Sequence, residues 1–445
     1  MFVDTRFVLR RRTTVLLVAG LPFFLNAFNL LAFVLQQERT WGGLDRDGAQ
    51  GVAAAADGSV YVTGGTRSFG AGDEDAFLLK YAANGTLLWQ RTYGTVPDQL
   101  NSGEESGIAV AVAPDDSGVV VLGNYRDGNI FLAKFSTEGT RIWDLTWGGN
   151  QEGASALAIA PDGTIYVTGA TFDFGAGQAD AFLLSFTPTG TLNWQRTWGG
   201  GDFDVPHGVA VATDGNIYIT GDTGNSAFLV KFSPGGTVGV QRVWGVVGKT
   251  GITNDDQTFG NGIAASPDGG AFVVGDTSGT GFDPNLIAAR FDSGGNLVWI
   301  RVGGPGFGSA QDVAVAADGS LQITGNVLTQ PSASDAFVWN VLGNGKGQDA
   351  AVWGGADPFE GEGGVSIASG PGGAIVVAGS AGASPYAFGR GSKITKAANA
   401  FLATFSGTVT VPAGVVGVTA ALVATPVGSE TFAGSSDAFL LRIQP

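Results

Sequence analysis

The sequence predicts an all-β fold, a β-propeller of four-stranded antiparallel blades. Three observations predict it. Four short apolar runs separated by turn residues fill the stretch from Gly51 to Gly94. The same pattern returns along the chain at a spacing of roughly 50 residues. No helical period of 3.6 persists after residue 36. Glycine supplies 74 of the 445 residues without a period of three, which excludes collagen and favours turn-dense β structure.

Within Gly51–Gly94 the first run, VAAAA, ends at Asp57-Gly58, and the second, VYVTG, leads into a glycine-rich loop. The third, AFLLKY, ends at Asn84-Gly85, and the fourth is LLWQRTY. Short runs bounded by Asp-Gly or Asn-Gly are the signature of antiparallel hairpins. The four runs are strands A to D of one sheet. One such sheet cannot bury both faces alone, so it must stack against copies of itself.

The A and B runs recur from Ile108, Ala156, Gly208, Gly262, Asp312 and Gly364. The end of strand D recurs at Trp41, Tyr93, Trp147, Trp198, Trp244, Val302 and Trp353. Strand A is rich in Ala, Val and Gly, as expected where inner strands crowd an axis. The Phe of strand C and the Trp of strand D are wide enough to fill the gap that opens between blades farther out.

These residues resemble the SBBP-type β-propeller repeat family. The pattern stands here as Asp57, Tyr61, Gly64, Asp75-Ala76-Phe77, Gly85 and Trp89, and again as Asp162, Tyr166, Gly169, Asp180-Ala181-Phe182, Gly190 and Trp194. The resemblance covers roughly residues 37 to 445. It implies a fold and almost no chemistry, because propellers host many unrelated functions.

Three segments are expected. Residues 1–12, with three consecutive Arg at their end, form a basic, cytoplasmic N-terminus. Thr13 to Leu35 is a 23-residue stretch without a charge. As a helix it measures about 34 Å, enough to cross a hydrocarbon core of about 30 Å. A cleaved export signal is the competing reading, but the long apolar stretch and the poor cleavage sequence Ala32-Phe33-Val34-Leu35 favour a retained single-pass anchor. Residues 36–445 are then the propeller, on the periplasmic or extracellular side by the positive-inside rule. Pro22 should kink the helix. Asn26 and Asn29 share one of its faces and are candidate contacts to another transmembrane helix, the competing reading being amides that meet water near the headgroups.

Gln37 to Gly43 reads as a strand D with no A to C before it, and Asp437 to Ile443 as a strand C with no D after it. The chain ends should therefore meet in one blade and close the ring, removing exposed sheet edges. Counting units of about 48 residues gives eight blades, the last degenerate over Thr408–Thr425, with seven as the alternative. The closure sends the anchor out from the face with the short A–B and C–D turns. The longer B–C and D–A loops open on the other face, the usual place for function.

The chemical inventory is thin. The formal charge of −16, with the first twelve residues basic, argues against nucleic acid. There is no Cys, and the single His, His207, reads as an ordinary strand-end residue. Gly248-Lys249-Thr250 lacks the context of a phosphate loop. Asn254-Asp255-Asp256 and Asp73-Glu74-Asp75 are the acidic clusters that invite a metal, and turn chemistry explains the other Asp-Gly pairs. The ten Trp read as core rather than sugar platforms. No catalytic, cofactor or metal residues are assigned. The insertion Ser380–Asn399 carries Arg390, Lys393 and Lys396 without an acid, a candidate contact for an acidic partner.

The expectation is a non-catalytic, membrane-anchored, extracytoplasmic propeller serving as scaffold or accessory subunit of a larger membrane complex. Its partners would be other membrane-protein subunits and the lipid bilayer, and an electron-transfer or light-harvesting assembly is a compatible host. A surface module binding a ligand or carbohydrate is the alternative, followed by an enzyme with an axial site.

Overall fold

The computed structural model describes residues 34–95, 103–149, 151–245, 257–278, 285–330, 333–353, 360–383, 399–406, 421–424 and 436–437. They belong to a compact unit spanning Ala32–Pro445. It is an all-β propeller. In the first repeat, strands A (Asp47–Ala54), B (Val60–Thr66), C (Asp75–Tyr81) and D (Leu87–Tyr93) hydrogen-bond in the order A-B-C-D, all antiparallel. The repeats starting at Glu105, Glu152 and Asp204 form the same four-stranded sheet.

Each piece of the repeat motif has a structural cause. The Thr of strand B (Thr63, Thr168, Thr220) is buried and donates from Oγ1 to the carbonyl of the strand C Phe (Phe77, Phe182, Phe228), at 2.7 Å in each case. The glycine that follows, such as Gly169, has no room for a side chain, because a Cβ there would meet the carbonyl oxygen of Gly153 on strand A. The Asp of Asp-Ala-Phe pins the B–C loop. Asp180 accepts from the Ala176 and Gly177 amides at 2.9 and 3.0 Å, and Asp75 does the same with Ala71 and Gly72. At the start of strand A a second buried acid holds the D–A loop. Asp204 accepts from the Gly200 amide at 2.7 Å, and Glu152 from the Gly149 amide at 2.6 Å.

The apolar core lies between successive sheets. One cluster joins Tyr166, Ala181 and Leu183 of the repeat starting at Glu152 to Ile219, Phe228 and Val230 of the next. The strand D aromatic packs on the strand C Phe of the following repeat. Centroid separations are 4.6 Å for Trp41–Phe77, 4.7 Å for Tyr93–Phe131, 4.9 Å for Trp147–Phe182 and 4.6 Å for Trp198–Phe228. The expected wedge of Phe and Trp between blades is what forms.

The same Trp also reaches the next strand D. Trp41, Trp147 and Trp198 donate from Nε1 to Gln90, Gln195 and Gln241 at 2.9, 3.3 and 2.8 Å. Arg91 and Arg196 lie over Trp89 and Trp194 and donate to the C–D turn carbonyls of Gly139 and Gly236 in the following repeat. The Trp-Gln-Arg-Thr-Trp/Tyr pattern of strand D is thus a latch between sheets.

Two expectations about the ends need correction. The described strands form six hydrogen-bonded sheets, which carry seven repeats, where eight blades, or seven in the alternative count, were expected. Four sheets hold one repeat each. The eight-stranded sheet holds two, because Leu297–Val315 is one strand, serving as D of one repeat and A of the next. Pairing of Phe307 with Asn285 carries the ladder through the D–A connection, so no gap separates the two. Ala421–Ala424, inside the segment expected to be a degenerate blade, instead runs parallel to Gly347–Trp353 as an added outer strand.

The closure also differs in its partner. The N-terminal strand, Val34–Gly43, pairs with Asn399–Ser406 as the strand D of the sheet that begins at Glu360. Trp41 faces Ala400, just as Trp198 faces Ala181. Asn399-Ala400-Phe401 is the Asp-Ala-Phe motif with one amide substitution, and it directly continues the hairpin from strand B, Ala374–Ala383. It therefore takes the position expected for Asp437–Ile443. Of that C-terminal segment, Asp437 pairs with Gly42 as a fifth strand with Ser436, and Phe439 lies outside the described residues.

The proposed anchor, Thr13–Leu35, lies outside the described residues except for Val34 and Leu35, which open a β-strand and so cannot end a helix. No helix among the described residues is long and apolar enough to cross a membrane.

Candidate functional site

Register shifts recur in every repeat, on strand D opposite the end of strand C and on strand A opposite strand B, and those of strand A face the axis. In each of the seven copies of strand A the A–B register slips by one residue at the same place, leaving one residue bulged. A bulge re-aims the extra side chain. The bulged residues are Gln50, Ser155, His207, Asn261 and Gln311, together with Ile108 and Val365, and all seven line one axial channel of about 600 Å³. The strands around them repeat closely, whereas these seven positions hold six different residue types.

Hydrogen bonds tie the ring from strand to strand. Gln50 donates from Nε2 to Ser106 Oγ of the next strand A at 3.0 Å. His207 Nε2 is 2.5 Å from Asp222 Oδ1 on the adjoining strand B. Asn261 Nδ2 donates to Asp276 Oδ1 at 2.8 Å, to the Ala310 carbonyl at 2.9 Å and to Ser309 Oγ at 3.1 Å. Ser309 in turn donates to Asp276 at 2.5 Å and accepts from Gln311 Nε2 at 2.8 Å.

Asp312, beside Gln311, accepts from the Val313 and Ile367 amides at 2.8 and 2.9 Å and from Ser366 Oγ at 3.1 Å. Loss of water around it outweighs these bonds and pushes its carboxyl up to about 6.

The second surface of note is the face bearing the B–C and D–A loops. It exposes Leu44, Phe69, Phe172, Phe174 and Phe203, between 38% and 79% accessible. Phe172 and Phe203 meet edge to face with centroids 6.3 Å apart. Each precedes a buried acid in the chain, Asp47, Asp75, Asp180 or Asp204, and Phe69 and Phe174 also lie against Trp41 and Trp147, at 5.0 and 6.1 Å between centroids.

Asn26, Asn29, Arg390, Lys393 and Lys396 lie outside the described residues, as do Asn254-Asp255-Asp256 and Gly248-Lys249-Thr250. Asp73-Glu74-Asp75 divides its work locally. Glu74 pairs with Arg67 at 3.1 Å, and Asp75 holds loop amides. No group of three or more His, Cys, Asp or Glu able to hold a metal occurs among the described residues. His207, expected to be an ordinary strand-end residue, lies inside the strand Asp204–Val211 and lines the axial channel. Its place in a strand A is legible in the sequence, and the bulge at that place is not.

The family comparison bears on the same repeats. The β-propeller repeat designated SBBP matches residues 247–283. The match covers one repeat-length segment, which includes the strand A and strand B pair Gln257–Ala265 and Ala271–Ser278. A curated relative, "Regulatory protein FlaEY" of Caulobacter vibrioides, is 28% identical over 166 residues, covering 31% of this chain and 16% of that protein. The match thus spans a small part of that protein's length. Among solved structures, Sqt1 from Chaetomium thermophilum aligns with a TM-score of 0.48 at 13% identity, covering 78% of this chain and 97% of that one. A protein from Lactobacillus plantarum gives 0.47 at 15% identity, covering 70% and 94%. A gluconolactonase from Xanthomonas campestris gives 0.38 at 17% identity, covering 65% and 84%. Likenesses of this extent carry no activity to this chain.

Proposed function

We propose that this propeller is a non-catalytic scaffold or accessory subunit of a membrane protein complex, tethered by its apolar N-terminal segment. One observation carries the proposal: exposed apolar side chains at the loops of one face, Leu44 and Phe69 in one repeat and Phe172, Phe174 and Phe203 in another, with Phe172 and Phe203 in ring contact. Large apolar side chains gathered at loop tips are what a protein partner covers. Support also comes from the latches between sheets, which give such a face a stiff backing, and from the uncharged stretch Thr13–Leu35 in the sequence.

The test is a photo-crosslinking residue placed at Phe203 and, separately, at Leu88 on an outer strand, in native membranes. The proposal expects a discrete adduct with an integral membrane protein from position 203 and none from position 88. Recovery of the chain as a lone monomer, with no adduct from either, would remove the subunit reading.

A further inference from the structure

We infer that the axial channel is a binding site for a small, uncharged, hydroxyl-rich molecule of the sugar or polyol class. The inference is independent of the scaffold reading, because it concerns the axis and not the loop face.

The chemistry of the ring selects the ligand. The carboxylates around the channel are already committed within the protein. Asp222 is engaged by His207, Asp276 accepts from Asn261 and Ser309, and Asp312 accepts three hydrogen bonds. They therefore offer little to a cation. No Lys or Arg occurs among the described residues that line the channel, so an anion would meet acids without a countercharge.

What the channel leaves open is a set of neutral acceptors. The side-chain carbonyl oxygens of Gln50, Asn261 and Gln311 accept no hydrogen bond from the described residues, because each amide is held through its nitrogen. His207 gives one nitrogen to a carboxylate, which accepts, so in the neutral ring its other nitrogen is also an acceptor. Hydroxyl groups satisfy acceptors of this kind without bringing charge.

The distribution around the axis adds a shape. Ser155, His207, Asn261 and Gln311 are contiguous and form a polar arc, while Ile108 and Val365 are apolar and flank Gln50. A sugar ring presents hydroxyls at its rim and C–H groups on its faces, which matches such a divided wall. A volume of about 600 Å³ falls within the usual range of small-ligand pockets, ~300–1,000 Å³. Because the ring positions differ while their frame repeats, each propeller built this way can set its own selectivity.

The test uses the full chain in a detergent without a sugar headgroup. Titration calorimetry and saturation-transfer NMR are run with glucose, mannose, maltose, sucrose and myo-inositol, with glucuronate and glucosamine as charged controls. At least one neutral probe should bind saturably, and neither charged control should bind as tightly. Gln311→Leu should weaken binding at least tenfold. Val365→Trp breaks no hydrogen bond and fills the channel, so it should abolish binding while circular dichroism stays unchanged. The inference is overturned if no neutral probe binds, if a charged control binds as well as the best neutral one, or if Val365→Trp leaves affinity intact.

Discussion

Replacing Phe228 by Ala tests whether stability resides between the sheets. Phe228 is fully buried and lies against Trp198 of the preceding repeat, 4.6 Å between centroids at 44°. It shares one cluster with Tyr166, Ala181 and Leu183 across the gap and with Ile219 and Val230 on its own sheet. Deleting a buried Phe in packed surroundings costs about 3–5 kcal/mol, and this site has sheets on both sides that resist collapse. Trp198→Ala removes the partner ring, together with the 2.8 Å bond to Gln241. If the rings interact directly, the two changes should be non-additive by about 0.5–1.5 kcal/mol. Urea unfolding followed by far-UV circular dichroism measures both quantities. A cost below about 1 kcal/mol for Phe228→Ala, or strict additivity in the double variant, would refute the claim that these aromatics weld neighbouring sheets.

Other outcomes follow from single residues. Gly169→Ala should destabilise by more than about 2 kcal/mol, because its Cβ meets a strand A carbonyl, whereas Gly153→Ala, with open space around it, should shift the urea midpoint little. Asp180→Ala removes the acceptor for two loop amides, so hydrogen exchange over Phe172–Ala179 should quicken while the strands keep their protection. The raised carboxyl of Asp312 makes the folded state bind more protons than the unfolded state between about pH 4 and 6. Its contribution to stability is therefore present below that window and is lost as pH rises through it. Asp312→Asn should lack that loss, so its urea midpoint relative to wild type should climb from pH 4 to pH 7.

Much of the fold is written in local pattern. Asp-Gly turns, the Val-Thr-Gly of strand B, and Asp-Ala-Phe mark each strand because each has a nearby physical job, whether turn, bond or loop pin. The closure is harder to read, since Asn399-Ala400-Phe401 and Asp437-Ala438-Phe439 both look like the start of a strand C. The backbone pairing puts the first of them beside the N-terminal strand, between it and Ala374–Ala383. The merger at Leu297–Val315 has the same character, resting on one backbone pairing that side chains do not announce. The axial ring is the least legible feature. A bulge is a matter of register between two strands, and Gln, Ser, His, Asn, Ile and Val carry no common sign of it.

An axial channel exists only if the ring is closed, and closure rests on the N-terminal strand lying beside Asn399–Ser406. The chain has no Cys, so engineered pairs can be read without competition. Thr40→Cys with Phe401→Cys, which face each other in the register, should oxidise to a disulfide, shift gel mobility and raise the urea midpoint. Thr40→Cys with Phe439→Cys is the matching pair for closure through the C-terminal segment. Ready oxidation of that second pair, with the first remaining reduced, would contradict the account.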